Sequence, residues 1–599
     1  MSGITNTQKG TSDLTNFTGL SRISGASFMN DNFIFSVKTD NTGTSNNDQY
    51  TMPLVSGGTY DFNIDWGDNT SDHITAYNQA EVTHTYAGGA GTYTVKVYGT
   101  LKGWRFNNGA DKLKLTNISQ FGILKLGNSN GYFKGCANLT ITATDPLDTS
   151  GTTEFLEAFY DCSSLTTVPS MGAWDMRLVT TTQSMFTNAT NFNEPSIVNW
   201  DMSSVTTLPF MFSGASSFNQ PIGVWNLSSV GSTSMAGIFL NATSFDQDLS
   251  NWGQHINQTS SLTQFLQGVT LSTANYNSML ITWAEDTWTT SLSPNFGSAT
   301  YSGADAAEAR FNFVNTDSWT IADGDSILGF TFNVKTDNAG TSSSTSFTYP
   351  STSNGSYDAF YEWTATAGDR VIAYDDTALT HDFGSTGSYE VTVHGEATGF
   401  RFNNGGDEAK MLDISQWGTF NFGNNNSVFF GCTNLTISAS DALDMSGAKA
   451  ANTWFRFFRN CEALTTVPNM TTIFNGVAGV SNTVEMFYRC SNYNQDNNGF
   501  DMSSVTSSLA MYLSTTAYDQ NFAGWDITSM TNLTIFMNNT SISTANYDAT
   551  LVAWEAQSVL DNVSPNFGSS TYTSAGAGGT AHAALIADHS WTFADGGGV

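Results

Sequence analysis

The chain contains two copies of itself, and the second copy is shorter by one unit of a smaller repeat. The stretch FIFSVKTDNTGTS that begins at Phe33 returns as FTFNVKTDNAGTS at Phe330, and STANYNSMLITW at Ser272 returns as STANYDATLVAW at Ser543. The offset between the copies therefore falls from 297 at their start to 271 at their end. A globular core would not accept such a loss easily, whereas stacked units that contact only their neighbours would.

Pairs of apolar residues recur inside each copy, at an interval that matches this loss. The pairs in copy one follow one another in steps of 26 and 27, at Met185-Phe186, Met211-Phe212 and Ile238-Phe239. The pairs in copy two follow in steps of 25, at Met486-Phe487, Met511-Tyr512 and Phe536-Met537. In copy one, tryptophans close successive units at Trp174, Trp200, Trp225 and Trp252. A fixed period of this length is typical of stacked repeat arrays.

All five cysteines occupy one position of the repeat, three residues after a phenylalanine. Sister units place Ala189, Ala215 and Ala242 at this position, so the site favours a small buried apolar group. An odd number of cysteines argues against a complete disulfide framework. A structural role is the preferred interpretation, and a disulfide, a metal ligand or a nucleophile stays as the alternative.

Each unit is expected to run as strand, turn and loop, with the β-prone stretch Ser204–Leu208 as the example. Stacked units would then place their strands side by side as a parallel sheet, with apolar side chains in columns along the axis. The methionine and aromatic positions are interpreted as core packing and not as a cofactor site. The predicted core residues are Cys136, Cys162, Met185, Phe186, Met211, Phe212, Phe218, Trp225, Cys432, Cys461, Met486, Phe487 and Cys490.

Charge excludes some partners. Twenty basic residues face 52 acidic ones, a formal net charge of −32, whereas nucleic-acid binding needs cations to neutralise phosphates. No apolar run approaches the ~18 residues of a membrane span, so neither nucleic acid nor membrane insertion is expected. The acidity either maintains solubility or attracts divalent cations, which leaves calcium possible.

Motifs of catalysis are missing from the sequence. The seven histidines form no H-E-x-x-H pair, and there is no P-loop and no G-x-S-x-G. Carboxylates are too numerous for counting to exclude a glycosidase pair, but none stands out. The sequence therefore predicts a protein without catalytic residues or cofactors, with a polysaccharide-degrading enzyme as the less favoured alternative.

The stretch NWDMSSVTTLPFMFSGASSFNQPIGVW closely resembles the BspA-type leucine-rich repeat. The resemblance covers roughly residues 113–322 and 409–594, and it implies a leucine-rich-repeat solenoid used for attachment at cell or virion surfaces, without catalysis. The closing motifs Trp319–Gly324 and Trp591–Gly596 are similar to the final unit of such arrays, which covers the open core.

The segment before each array resembles a PKD-like β-sandwich, on the residues Phe62–Asp68, His84–Tyr86 and Gly91–Val97. Asp65 and Asp68 are candidate calcium ligands. Copy two has Glu362-Trp363-Thr364-Ala365 in place of the W-G-D turn. It is therefore expected to keep the strands and lose the turn.

The predicted fold class is mainly β, with two tandem copies of a PKD-like β-sandwich followed by a leucine-rich-repeat solenoid. The predicted domains are a docking segment at 1–32, sandwiches at 33–102 and 326–398, and solenoids at 103–325 and 399–599. The recurring segments GWRFNNG and GFRFNNG suggest either a junction between sandwich and solenoid or a ligand patch. The candidate ligand residues are Trp104, Arg105, Asn107, Asn108, Arg401, Asn403 and Asn404.

This combination is similar to virion fibre or tail-associated proteins of marine-type bacteriophages. The resemblance implies an extracellular structural protein of a virion, as fibre, tail-associated or head decoration protein, that attaches to a host receptor or glycan. Its partners would be other virion proteins and possibly further copies of the chain. A bacterial cell-surface adhesin is the alternative.

Overall fold

Regular secondary structure makes up a minor part of the chain, and most of it is in strands. The computed structural model describes residues 32–232, 235–256, 261–327, 329–418, 420–445 and 454–599, so nearly all of the predicted docking segment lies outside the described residues. The protein is mainly β with several sheets. It divides into two units, Met1–Val205 and Thr206–Val599. Among the described residues, no helix is long and apolar enough to cross a membrane.

The first unit begins with a seven-stranded sheet of order β4-β3-β6-β1-β7-β9, in which β8 pairs with β6. A separate pair, β2 and β5, lies beside it. Residues on β1 alternate between buried and half-buried, so Phe33, Phe35 and Val37 face the core. The strands are β1 (Phe33–Lys38), β2 (Gln49–Thr51), β3 (Leu54–Asp65), β4 (Ser71–Ile74), β5 (Thr83–Thr85), β6 (Thr92–Trp104), β7 (Leu115–Gln120), β8 (Leu124–Lys125) and β9 (Thr140–Ile141).

Stacked coils, each one repeat long, follow this sheet in the first unit. The N–H groups of Glu157, Phe159 and Asp161 donate to carbonyls one repeat further along the chain, at distances of 2.8 to 2.9 Å. The ring of Phe159 stacks on Phe133 at 5.2 Å and on Phe186 at 5.6 Å. Successive coils are thus joined by parallel hydrogen bonds between their backbones and by stacked aromatic rings in the interior.

The expected strand of each coil is much shorter than the sequence predicted. Only Thr207 of the stretch Ser204–Leu208 takes part in a β-bridge, and other coils meet through single bridges such as Glu154 to Thr181 and Asn482 to Ser507. The ladder runs instead through left-handed residues, such as Glu157 at φ 55° and Asp161 at φ 59°. Left-handed dihedrals interrupt an extended strand, so β propensity does not decide this segment.

The described part of the second unit holds further coils, a second sheet and six helices. Its large sheet has the order β13-β12-β15-β10-β16-β17, and β11 pairs with β14. The helices are α1 (Trp252–His255), α2 (Thr273–Trp283), α3 (Ala304–Asn315), α4 (Met470–Asn475), α5 (Thr544–Glu555) and α6 (Ala577–His589). The strands are β10 (Phe330–Lys335), β11 (Ser346–Thr348), β12 (Tyr357–Thr364), β13 (Ala367–Val371), β14 (Thr380–Asp382), β15 (Ser388–Ala397), β16 (Met411–Gln416) and β17 (Thr436–Ile437).

The turn of the second sheet is kept, contrary to the expectation from its sequence. Asp65 pairs with Ser71 in the first sheet, and Glu362 pairs with Gly368 at the equivalent position of the second. Pairing then continues to Thr364 and Ala367. Loss of the glycine and aspartate therefore tightens the hairpin but leaves its length and register unchanged.

The recurring STANY segments begin helices that the repeat pattern did not predict. The Ser272 hydroxyl caps α2 by accepting from the Asn275 N–H at 3.5 Å. After α3, Trp319 stacks on Phe313 at 4.3 Å and donates its indole N–H to the Thr289 carbonyl. The final unit of the first array is thus a helical one, and α5 and α6 recur at the end of the second.

All thirteen predicted core residues lie in the interior, each with at most 1% of its surface exposed. The five cysteines are buried free thiols. Alanines at the sister position, such as Ala189 and Ala215, are equally buried. The repeat position therefore holds a small apolar group in each of these coils.

Candidate functional site

The first candidate ligand segment joins a strand to a coil. Trp104 ends β6 and is fully buried, and its ring meets that of Phe33 edge to face with the ring centres 5.2 Å apart. Asn107 and Asn108 are exposed and left-handed, and their N–H groups donate to Gly131 and Lys134 of the next coil. The Arg105 N–H donates to the Pro53 carbonyl. These bonds fix a junction and do not bring the side chains into one site.

The second copy repeats this backbone. The N–H groups of Asn403 and Asn404 donate to Ser427 and Phe430, and that of Arg401 donates to Pro350. Both asparagines are left-handed again, at φ 52° and 62°, a conformation that asparagine tolerates better than most residues. The junction accounts for the recurrence of N-N-G without a ligand.

The two candidate calcium ligands are engaged within their own turn. Asp65 accepts the Gly67 N–H at 2.9 Å. Asp68 accepts the Thr70 N–H at 3.0 Å, and its other oxygen lies 2.9 Å from Nε2 of His84. Burial raises the pKa of Asp68, but hydrogen bonds from Thr70 and His84 outweigh it and hold that pKa below the usual value. Among the residues that the structure describes, no group of three His, Cys, Asp or Glu side chains could hold a metal.

Sequence reasoning missed a fully buried ion pair that both copies contain. Asp111 and Lys114 are completely buried, and Asp407 and Lys410 nearly so. Asp111 accepts the N–H groups of Thr44, Ser45 and Thr51. The recurrence of TDN-x-GTS together with D-x-x-K was the signal that could have revealed it. The pair fixes the loop after the first strand of each sheet.

A second feature missed from the sequence is a cleft of about 720 Å³ in the second unit, here called the junction cleft. Its floor is the outer face of the second sheet, and its wall is the end of the first array. Among the residues that line it are Tyr301, Arg310, Glu362, Glu390, Thr392 and His394.

The floor of the junction cleft is polar because strand residues alternate. Val391 and Val393 face the core, so their neighbours Glu390, Thr392 and His394 face the cleft. The Thr331 and Thr392 hydroxyls lie 3.1 Å apart on adjacent strands. In the first copy, Thr94, Lys96 and Tyr98 hold the positions of these three cleft residues, so this lining belongs to copy two.

An ion pair at the end of the first array stabilises the wall of the junction cleft. Arg310 on α3 binds both oxygens of Asp323, at 2.8 and 2.9 Å. Its guanidinium carbon lies 5.3 Å from the centre of the Tyr301 ring. The Tyr276 hydroxyl donates to the same aspartate at 2.6 Å. A bidentate pair with an aromatic cover is a rigid support.

A line of three polar groups crosses the junction cleft at its base. The Ser326 hydroxyl lies 3.2 Å from Nδ1 of His394, and Nε2 of the same ring lies 3.5 Å from Glu362. The His394 side chain is 2% exposed, whereas that of Glu362 is 35% exposed. Hydroxyls and open carboxylates together suit a neutral polyol, since carboxylates accept bonds from hydroxyls.

The chain is similar to one protein family in parts of both arrays. The family model described as "Mycoplasma protein of unknown function, DUF285" matches residues 105–194, 153–279 and 472–554. The first two matches overlap, which is typical of a repeat that aligns in more than one register. The comparisons with curated proteins and with solved structures gave no match.

Proposed function

We propose that this chain is a non-enzymatic surface protein of a virion, a fibre, tail-associated or head decoration protein, that attaches the particle to glycans on its host. In this proposal each copy is a PKD-like β-sandwich followed by a leucine-rich-repeat solenoid of the BspA type. Partners would be other virion proteins, a host glycan and further copies of the chain.

Two observations support the repeat assignment. Successive coils are joined by the same parallel hydrogen bonds, as at Phe212 to Ile238 and Phe239 to Phe265. The DUF285 matches fall on these coils, and that family is of the BspA-like repeat type. Arrays of this kind offer long surfaces for recognition.

The junction cleft is the observation that carries the glycan proposal. Its volume lies within the range of small-molecule sites, but its lining is more polar than most. Glu362, Glu390 and Thr392 offer acceptors and a hydroxyl to a sugar, whereas Tyr301 is buried beside Arg310 and His394. Sugar hydroxyls donate to carboxylates and exchange hydrogen bonds with a threonine hydroxyl, so they match this polar lining.

The line Ser326–His394–Glu362 has the residue types of a serine hydrolase, which cleaves esters and amides, and not the carboxylate pair of a glycosidase. In serine hydrolases the serine bonds Nε2 and the carboxylate bonds Nδ1. Here the two nitrogens are exchanged. The buried ring of His394 is better explained as a support for Glu362.

Glycan binding by the full chain tests the proposal. We expect neutral host glycans to bind, and the variants Glu362→Gln and Glu390→Gln to weaken binding about tenfold each, since each loses a charge-assisted hydrogen bond. Asp337→Asn is the control, because Asp337 is a half-exposed carboxylate paired with Lys335 outside the cleft. Equal binding by all variants would contradict the glycan site.

Two further measurements separate the alternatives. Mass spectrometry of purified particles should find the chain, whereas its presence only in cell envelopes would favour the bacterial adhesin. Release of reducing ends from host polysaccharide by the purified chain would favour the enzyme.

A further inference from the structure

Cations are scarce in residues 411–599, and those of them that the structure describes lie together. Residues 411–599 contain fourteen acidic side chains and four basic ones, Lys449, Arg456, Arg459 and Arg489. The three arginines come from two consecutive coils. Random placement on so acidic a chain would not gather them, so their common position calls for an explanation.

The backbone ladder aligns one arginine between two aromatic rings. The N–H of Gly431 donates to the Arg459 carbonyl at 2.9 Å, and that of Asn460 donates to the Tyr488 carbonyl at 2.8 Å. Phe430, Arg459 and Tyr488 therefore occupy the same position in three successive coils. The guanidinium carbon of Arg459 lies 4.9 Å from the Phe430 ring centre and 4.4 Å from that of Tyr488, which is cation–π geometry on both faces.

A single carboxylate serves two of the three arginines. Glu485 lies 2.5 Å from Nε of Arg456 and also pairs with Arg459. The Arg456 side chain remains 36% exposed and lies over the ring of Phe455. Arg489 is exposed and lies 5.9 Å from the Tyr488 ring centre. Among the described residues it has no acidic partner, so this surface has three guanidinium groups for one carboxylate.

The first array shows that this excess charge is not a requirement of the coil. At the equivalent positions, Lys134 lies 4.6 Å over the ring of Tyr160 and pairs with Glu157 at 2.7 Å. One cation and one carboxylate balance there. The cation–ring contact is thus common to both arrays, whereas the unbalanced guanidinium groups occur in the second.

We infer that the arginine–ring strip, formed by Phe430, Arg456, Arg459, Glu485, Tyr488 and Arg489, binds an acidic polysaccharide. Arginine pairs in a bidentate way with carboxylate or sulfate. The Tyr488 ring is partly exposed and can cover an apolar sugar face, whereas Phe430 is buried against Arg459. Nucleic acid fits less well, because it needs a row of cations along successive phosphates. The inference rests on the proposed function only in the class of ligand, since the strip and the junction cleft share no residue.

Dextran sulfate, polygalacturonate and uncharged dextran test this inference on the full chain. Dextran sulfate and dextran differ only in their sulfate groups, and polygalacturonate replaces sulfate by carboxylate. We expect both acidic polymers to bind at the strip, whereas any binding of dextran through the junction cleft should not change when the arginines are replaced. Arg489→Ala and Arg456→Ala should each weaken binding about tenfold, and Arg489→Lys should restore part of it, because lysine keeps the charge without the fork.

Arg177→Ala is the matched control, because the Arg177 side chain is 72% exposed and paired with Asp175 in the first unit. It should change affinity less than twofold. Circular dichroism checks that each variant is folded, and Arg489→Ala is decisive because its side chain is exposed. Equal loss in Arg177→Ala, an equal loss of dextran and dextran sulfate binding in Arg489→Ala, or equally tight binding of poly(dT) would overturn the inference.

The variant Glu362→Gln separates this site from the junction cleft. It should retain binding to dextran sulfate. Loss of that binding would place the acidic ligand in the cleft and overturn the assignment to the strip. A negative result for neutral glycans would count against the proposed function alone.

Discussion

Left-handed residues set the shape of the coils. They come in pairs four residues apart, as at Glu157 and Asp161 or Glu485 and Arg489. Such a conformation costs ~1–2 kcal/mol for a residue other than glycine, and the hydrogen bonds to the next coil offset this cost. Because the backbone bonds fix these positions, their side chains are free to differ between coils, and three of the strip's four charges, Arg456, Glu485 and Arg489, lie there.

Phe212→Ala tests the interior column of rings. The Phe212 ring is fully buried and stacks on Phe218 at 3.9 Å and on Phe239 at 5.9 Å. We expect the free energy of unfolding in urea to fall by about 3–5 kcal/mol, from lost burial and the cavity. Leu178→Ala, at a 58% exposed position, should stay within about 0.5 kcal/mol of the parent. Equal losses of stability in the two variants would contradict the assignment of Phe212 to a buried column of rings.

Cys162→Ala should change stability little, because sister coils use alanine at this position. The Cys162 thiol donates a weak bond to the Phe133 carbonyl at 3.1 Å, so we expect a loss of at most about 1 kcal/mol.

Thiol titration complements this variant. Burial raises the pKa of all five thiols, which keeps them protonated at pH 8 and unreactive toward a disulfide reagent. All five should react after denaturation. Rapid labelling of the native protein would contradict the core assignment.

At the scale of elements, the buried ion pair locks a loop against each sheet. Lys410 donates to the carbonyls of Ser343 and Ser346 at 2.7 and 2.9 Å, and Asp407 accepts the Thr348 N–H at 2.7 Å. Lys410→Met would leave Asp407 buried without its cation, so we expect a loss of about 3–5 kcal/mol in a denaturant titration. The double variant with Asp407→Asn should regain part of it.

Lys335→Met is the control for this prediction. Lys335 is 44% exposed and pairs with Asp337 at 3.6 Å, and exposed pairs of this kind contribute ~0–1 kcal/mol. A loss of stability as large as that of Lys410→Met would show that the cost comes from removing any positive charge and not from the burial of the pair.

The second hairpin should make stability depend on pH through His381. Its ring stacks on Trp363 at 5.3 Å, and burial lowers its pKa below the usual 6.5, although Asp369 at 4.0 Å opposes the shift. The folded state therefore binds the proton less readily than the unfolded chain. The free energy of unfolding is therefore highest above pH 6.5, where His381 is neutral in both states, and it decreases as the pH falls below that value.

Melting curves from pH 7.5 to 5 check this sign. His381→Gln should show a smaller decrease in Tm than the parent. A parent whose Tm rises on acidification relative to His381→Gln would contradict the burial argument.

At the scale of the whole molecule, the sequence predicts periodic features well and irregular ones poorly. Columns such as Met211 and Phe212 follow from period alone, because a residue buried in one coil is buried in the next. The helices α2 and α5 were not predicted although their sequences recur. Each occurs once per array, at its end, so the short repeat pattern does not apply to them. The junction cleft was beyond reach because Arg310 and His394 meet only through the packing of α3 on the second sheet.

Deleting one whole coil from the first copy should leave the protein folded, as copy two already has one coil fewer. Removing residues 213–239 joins Phe212 to Leu240, so that Phe212 takes the place of Phe239, whose N–H donates to Phe265. The ring pair survives, because Phe239 and Phe245 stack at 3.9 Å, the distance of Phe212 from Phe218. Circular dichroism should then show the helical signal of the parent and a cooperative melt.

Removing only residues 213–225 should unfold the array, since half a coil exchanges inward and outward positions. If both deletions unfold the chain alike, the coils are not independent stacking units.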